Sequence, residues 1–290
     1  MSGNHTSKAL ARVLTSPGGH WVGDGFPVRS LFNYMEHAQE LSPFLLLDYG
    51  GPAEFPPTEE RLGVGPHPHR GFETVTIVFD GEVEHRDSSG AGGRIGPGDV
   101  QWMTAGRGVV HEEFHGREYA RRGGPFEMAQ LWVNLPRKDK LTQPRYQEIK
   151  SAQIPTVEHS GARVRVIAGE LAGARGPALT FSTLDVWDVR AERAGPLELP
   201  SPDGHTAALV VLSGEVRIGS KTLRDAQVAC FERTGAGVRV EVGADAHLLF
   251  LGGQPLGEPV VGRGPFVMNT EVEIWQAIAD FQAGRMGALS

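Results

Sequence analysis

Four side chains in two short stretches carry the metal-binding potential of this sequence. His67 and His69 flank a proline in "PHPHRGFETV", and His111 and Glu113 flank a glutamate in "GVVHEEF". In a β-strand, residues i and i+2 project to one face, so each stretch presents its two donors together while Pro68 and Glu112 point away. An HxH pair alone is weak evidence on a proline-rich loop; the second pair changes its weight. If the two strands neighbour each other in a closed barrel, three neutral imidazoles and one carboxylate meet inside it. Such a mixed nitrogen and oxygen set suits a first-row transition metal with positions left open for water, substrate or dioxygen. A closed structural zinc site fits less well, because such sites are four-coordinate and often use cysteine.

The elements that must position these residues read as short strands. "TVTIVFDGEVEHRD", from Thr74, is a strand, an Asp80-Gly81 turn and a returning strand, the short-range hairpin signal. A further strand is entered through Gly96-Pro97-Gly98-Asp99, another through Gly106 to Gly108, and "MAQLWVNLP" supplies one from Met128. The 39 glycines and 20 prolines, spread as punctuation, point to an all-β architecture. After the polar stretch "RKDKLTQPRYQEIK" at 137–150, a similar order begins again. "VFDGEV" at Val78–Val83 lies over "VLSGEV" at Val211–Val216, and "TAGRGVVHEE" lies over "TGAGVRVEV". Two tandem β-domains are expected, residues 1–140 and 141–290.

This overlay supplies an internal control. His67 and His69 fall on Pro200 and Pro202, while His111 and Glu113 fall on Val240 and Val242. None of those four binds a metal through its side chain, so the barrel folds without the quartet and one metal per chain is expected. At the C-terminus, Thr270 and Glu273 have capping-box spacing ahead of Ile274, Ile278 and Phe281, with Gly284 as a stop. That helix is expected to pack at the junction of the two barrels.

Other residues read more plainly. His85 alternates with Val83 and is an ordinary strand residue with a lesser chance of lying near the metal. His115 is expected to be solvated, Trp102 and Met103 to be core, and Cys230 in "QVACFE" to be a small buried hydrophobe. Gly106 and Gly108 make no dinucleotide fingerprint, because no helix follows them. A net charge of −7 without a long basic run argues against nucleic-acid binding. One cysteine allows no internal disulfide and is compatible with a reducing compartment. The N-terminal "MSGNHTSKALARV" lacks a secretory core, and the longest apolar runs are too short to span a bilayer, so a cytoplasmic location without membrane contact is expected.

"HPHRGFETV", "PGDVQWMTAGRGVVHEE", "AQLWVNLP" and "GPFVMNT" together resemble the pirin family, a branch of the cupin superfamily, over nearly the whole chain. The resemblance implies two tandem cupin (jelly-roll) barrels with a short C-terminal helix. It implies one metal in the N-terminal barrel on His67, His69, His111 and Glu113, and a metal-free second barrel. Iron(II) is the first expectation, although Mn, Co, Ni, Cu and Zn accept the same donors. It also places Arg70 and Gln130 close to the site and leans toward a monomer. Some pirins resemble quercetin 2,3-dioxygenases, which open the central ring of a flavonol with dioxygen. In that case Glu113, the one carboxylate among the ligands, is the base for a flavonol hydroxyl. The alternative is a non-catalytic, redox- or iron-sensing regulator that binds protein partners.

Overall fold

The computed structural model describes residues 6–289, in which short strands dominate and helices are few. The chain forms two compact units. The first comprises residues 17–38, 44–151 and those from Gly257 onward; the second comprises residues up to Ser16, Gln39–Pro43 and Ala152–Leu256. A cut at 140/141 therefore describes neither unit. Strand Arg145–Ile149 pairs with Val100–Thr104 in the first unit, and Leu10–Thr15 pairs with Gln227–Phe231 in the second. The stretch at 137–150 looks like a linker in sequence because its strand lies at a sheet edge, where polar side chains are ordinary.

The first unit packs two sheets against each other. A seven-stranded sheet runs in the order Arg145–Ile149, Val100–Thr104, Phe72–Asp80, Gly124–Asn134, Phe44–Phe55, Phe26–Phe32, Gly19–Val22. A four-stranded sheet runs Gly63–His69, Val109–His115, Val83–Asp87, Gly92–Ile95. Phe26, Val28, Val78, Phe126 and Met128 from the larger sheet and Val83 and Ile95 from the smaller share one apolar cluster, as a jelly roll requires.

The Asp80-Gly81 turn is not a hairpin. Phe72–Asp80 and Val83–Asp87 do not pair with each other and lie in different sheets, so the chain turns a corner between layers at this point. Gly81 adopts φ +86°, and a Cβ there would lie 2.6 Å from the Phe126 ring. A glycine is needed because the corner is left-handed and pressed against the core.

The C-terminal helix, Glu271–Gln282, starts as the sequence predicts, with the Thr270 hydroxyl accepting from the Glu273 amide at 3.3 Å. It packs within the first unit, where Ile274 and Ala277 join Phe266, Met268 and Val110. Val110 neighbours His111 on its strand but points to the opposite face, so the helix backs the ligand-bearing strands. Phe281 is 40% exposed and contributes little to that face. Gly284, at φ +71°, ends the helix as expected.

The second unit repeats the strand order. Its large sheet runs Leu10–Thr15, Gln227–Phe231, Thr206–Ser213, His247–Gly253, Leu184–Ala191, Ala162–Ala168, Thr156–His159. Its small sheet runs Gly195–Leu199, Val238–Val242, Val216–Ile218, Lys221–Leu223. Strand pairing corrects the sequence overlay. Pro200 and Pro202 lie beyond the strand that matches Gly63–His69, in which Leu197 opposes Val240 and Leu199 opposes Val238. On the other flank Val216 opposes Val242 as Val83 opposes His115, so Val242 matches His115 and Val240 matches Glu113. Leu197, Leu199, Val238, Val240 and Val242 all lie in the apolar core of the second unit.

Candidate metal centre

The Gly63–His69 and Val109–His115 strands run antiparallel, with His111 directly opposite His67 and His69 opposite Val109. The His67 and His111 rings lie 4.3 Å apart, His69 and His111 4.8 Å, and His67 and His69 4.9 Å, measured between centroids. The register shifts between His111 and Glu113, because the opposing strand takes an extra residue at Gly65-Pro66. On the other flank the register is regular, placing Glu113 opposite His85 and His111 opposite Asp87.

The described residues contain two candidate metal-holding groups: His67, His69 and His111, and His85, His111 and Glu113. Within each group the donor atoms lie within 4.8 Å of one another. Of the four residues singled out in sequence, the three histidines converge directly. Glu113 joins them through the shared His111.

The hydrogen-bond pattern leaves ring nitrogens free. His67 Nδ1 donates to the Gly65 carbonyl at 2.8 Å, which leaves the Nε2 lone pair available. His85 Nε2 lies 3.2 Å from Asp87 Oδ2, and His85 Nδ1 lies 3.3 Å from His111 Nδ1. A proton on His85 Nε2 directed at the carboxylate makes His85 Nδ1 the acceptor, so His111 carries its proton on Nδ1 and turns a lone pair outward on Nε2. His111 Nε2 and His69 Nδ1 are both buried without a partner among the described residues. Burial, with neighbouring imidazoles adding to it, holds His69 and His111 well below the ordinary histidine range, so both rings are neutral. Buried polar atoms normally find partners; neutral nitrogens left open side by side, next to a carboxylate, fit a metal ion.

Glu113 is held from the opposite sheet. Gln101 Nε2 donates to its Oε1 at 2.6 Å, and Gln130 Nε2 donates to its Oε2 at 3.3 Å. The Thr76 hydroxyl donates to Gln130 Oε1 at 2.6 Å, and the Tyr146 hydroxyl donates to Gln101 Oε1 at 3.3 Å, which fixes both amides. Tyr146 also stacks on His85, with centroids 4.9 Å apart. Burial, then the carboxylates Glu148, Glu113 and Asp87, push the Tyr146 phenol up, so it remains a proton-bearing donor.

Gln130 lines the cavity and contacts Glu113. Arg70 does not: following His69, it points to the other face, where Nη1 donates to Asp280 Oδ2 at 2.7 Å on the C-terminal helix. His115 is buried rather than solvated, its Nε2 donating to the Gly25 carbonyl at 2.8 Å among Phe55, Phe126 and Tyr119. Glu112 turns away from the site, as expected, to Arg86 and Arg61. Trp102 and Met103 are core. Residues overlooked in sequence are Thr76, Gln101 and Tyr146, together with the Asp87 partner of His85; only the alternation of His85 with Val83 hinted at any of them.

A cavity of about 350 Å³ opens beside His67, His69 and Glu113. Phe26, Val28, Val64, Met128 and Trp132 form apolar walls, and Asp48, Thr76 and Gln130 form polar parts. This is an apolar pocket with a few convergent polar groups, the usual form of a small-molecule site.

Comparison with known proteins agrees with this architecture. The Pirin family model matches residues 25–133, and the Pirin C-terminal cupin domain matches residues 186–287. The chain belongs to the pirin family. This pirin is 57% identical to a Pseudomonas aeruginosa protein named "Putative quercetin 2,3-dioxygenase", over 96% of this chain and 98% of that one. A crystal structure described as quercetin 2,3-dioxygenase from Acinetobacter baumannii superposes with a TM-score of 0.95 at 51% identity, covering 98% of this chain and all of that one. A bacterial pirin from Escherichia coli, solved in complex with nickel(II), shares the fold alone, with a TM-score of 0.63 at 18% identity over 84% of this chain and 99% of that one. Among the described residues no helix is long and apolar enough to cross a membrane.

Proposed function

We propose that this pirin is an iron(II)-dependent dioxygenase that opens flavonols, with the metal on His67, His69, His111 and Glu113. The observation that carries this reading is that Glu113 borders both the open imidazole nitrogens and a largely apolar cavity. A bound metal would supply Lewis acidity and the electron transfer that brings dioxygen into reaction. The donor set accepts several metals; iron(II) is proposed because it is the metal that the pirin resemblance implies first. A reducing cytoplasm, compatible with the single buried Cys230, would keep it ferrous.

The chain's own residues perform the remaining steps. The cavity walls receive a flat aromatic ring system and exclude water, and Trp132, stacked on Phe72 at 4.3 Å, gives one wall a fixed plane. Glu113 takes the proton of the substrate hydroxyl. Its Oε1 is held tightly by Gln101, whereas the longer contact of Oε2 to Gln130 makes Oε2 the freer acceptor. The two amides keep the carboxylate from swinging out of reach.

Iron-loaded protein in air is expected to consume quercetin, followed as loss of flavonol absorbance with release of carbon monoxide. Glu113→Gln is expected to keep part of its metal and to lose about 10²-fold or more in turnover. Full activity in that variant would remove the base assignment. Absence of turnover across a panel of flavonols and catechols would favour the regulatory, protein-binding reading.

A further inference from the structure

One row of polar side chains crosses the inner face of the large sheet in the first unit. Directly opposed neighbours run Ser30 to Asp48, Asp48 to Gln130, Gln130 to Thr76, and Thr76 to Gln101. In the second unit the opposed row is Val166, Trp187, Phe250, Leu209 and Ala229. All five of those residues lie in its apolar core. The fold therefore does not require polar groups along this row.

Thr76, Gln101 and Gln130 are accounted for, because they hold Glu113. Asp48 and Ser30 take no part in that network. The Ser30 hydroxyl donates to Asp48 Oδ1, while Asp48 Oδ2 has no hydrogen-bond partner among the described residues. Asp48 is half-buried and lines the cavity wall with Phe26, Val28 and Met128. Burial pushes its acid up, and only the Ser30 hydroxyl and the exposed His20 oppose that effect. Placing a carboxylate with an open oxygen here is costly unless something donates to it. Neighbouring strands are about 4.8 Å apart, so Asp48 lies one strand spacing beyond Gln130, on the far side from Thr76. Gln130 itself donates to Glu113, and both carboxylates line the same cavity, so one planar ligand can meet Glu113 and Asp48 together.

We propose that Asp48, oriented by Ser30, is a specificity residue that accepts a hydrogen bond from a second hydroxyl of a planar polyphenol whose first hydroxyl lies at Glu113. This rests on reading the cavity as a substrate site, but not on turnover. The test therefore measures binding to protein charged with redox-inert zinc, using 3-hydroxyflavone and galangin, which share a skeleton and differ by the two A-ring hydroxyls. Wild type is expected to bind galangin roughly tenfold or more tightly than 3-hydroxyflavone, the effect of a hydrogen bond to a charged acceptor. Asp48→Asn and Asp48→Leu are expected to bring that ratio to about one with the 3-hydroxyflavone affinity little changed. Ser30→Ala, which keeps the carboxylate, is expected to retain a preference for galangin even if the leucine variant folds poorly. An unchanged ratio in Asp48→Asn, equal weakening of both probes, or no binding of either probe to wild type would overturn the assignment. Discriminating binding by the zinc form without flavonol turnover by the iron form would sink the dioxygenase reading and leave the Asp48 role standing.

Discussion

Asp87 donates nothing to the proposed metal, yet through His85 it selects which nitrogen of His111 is free. That dependence gives a direct prediction. Asp87→Asn and His85→Phe should each weaken metal retention about 10- to 100-fold, as loss of an orienting partner does elsewhere, measured by competition with a chromogenic chelator. At the same scale, burial pushes the acid of Glu73 up to about 7, despite the Thr104 hydroxyl donating to it at 2.7 Å. An acid raised in the folded state keeps its proton while the unfolded chain has already lost its own. Stability should therefore fall as pH rises from about 4.5 to about 7, by up to roughly 3 kcal/mol. Glu73→Gln should flatten that part of the curve in thermal melts; an unchanged slope would contradict the cause given. The i, i+2 parity of His67 with His69 and of His111 with Glu113 was legible because strand geometry is local. His85 was only hinted at by its alternation with Val83, and Gln101, Thr76 and Asp48 were not legible at all, since each reaches the site from the opposing sheet.

The strands that carry the histidines are braced from behind by the C-terminal helix. The Arg70 to Asp280 pair closes that contact and is largely buried on both sides. Asp280→Ala should cost about 2–4 kcal/mol, because it leaves a buried guanidinium uncompensated, and should loosen metal binding as a consequence. Arg70→Met combined with Asp280→Leu should recover most of the lost stability, which denaturant titration would show. Lys140 forms a second tie, donating to the Gly71 and Val267 carbonyls at 2.8 and 2.9 Å and to Asn134 Oδ1 at 2.7 Å. The helix cap was readable from Thr270 and Glu273. Its packing partner was not, because an apolar stripe states only that a face is covered. The Asp80-Gly81 corner misled for a related reason: a left-handed turn between two apolar runs has the same local sequence whether the chain folds back in one sheet or crosses to another.

Across the whole molecule, one jelly-roll plan is used twice with opposite interiors. The first unit presents His67, His69, His111 and Glu113 from the two strands whose matches in the second unit present Leu197, Leu199, Val238 and Val240 to an apolar core. The repeat was visible in "VFDGEV" and "VLSGEV", since corner residues keep their spacing. The placement of edge strands Leu10–Thr15 and Arg145–Ile149 was hidden, because strand pairing over that sequence distance leaves no local mark. The central claim is that the first unit holds the single metal of this chain on three histidines and Glu113. Its most direct test is elemental analysis of protein purified without added metal, wild type beside the combined His67→Ala, His69→Ala and His111→Ala variant. The account predicts one transition-metal ion per wild-type chain and none in a variant that remains folded. Two ions per wild-type chain, or undiminished metal in the folded variant, would contradict it.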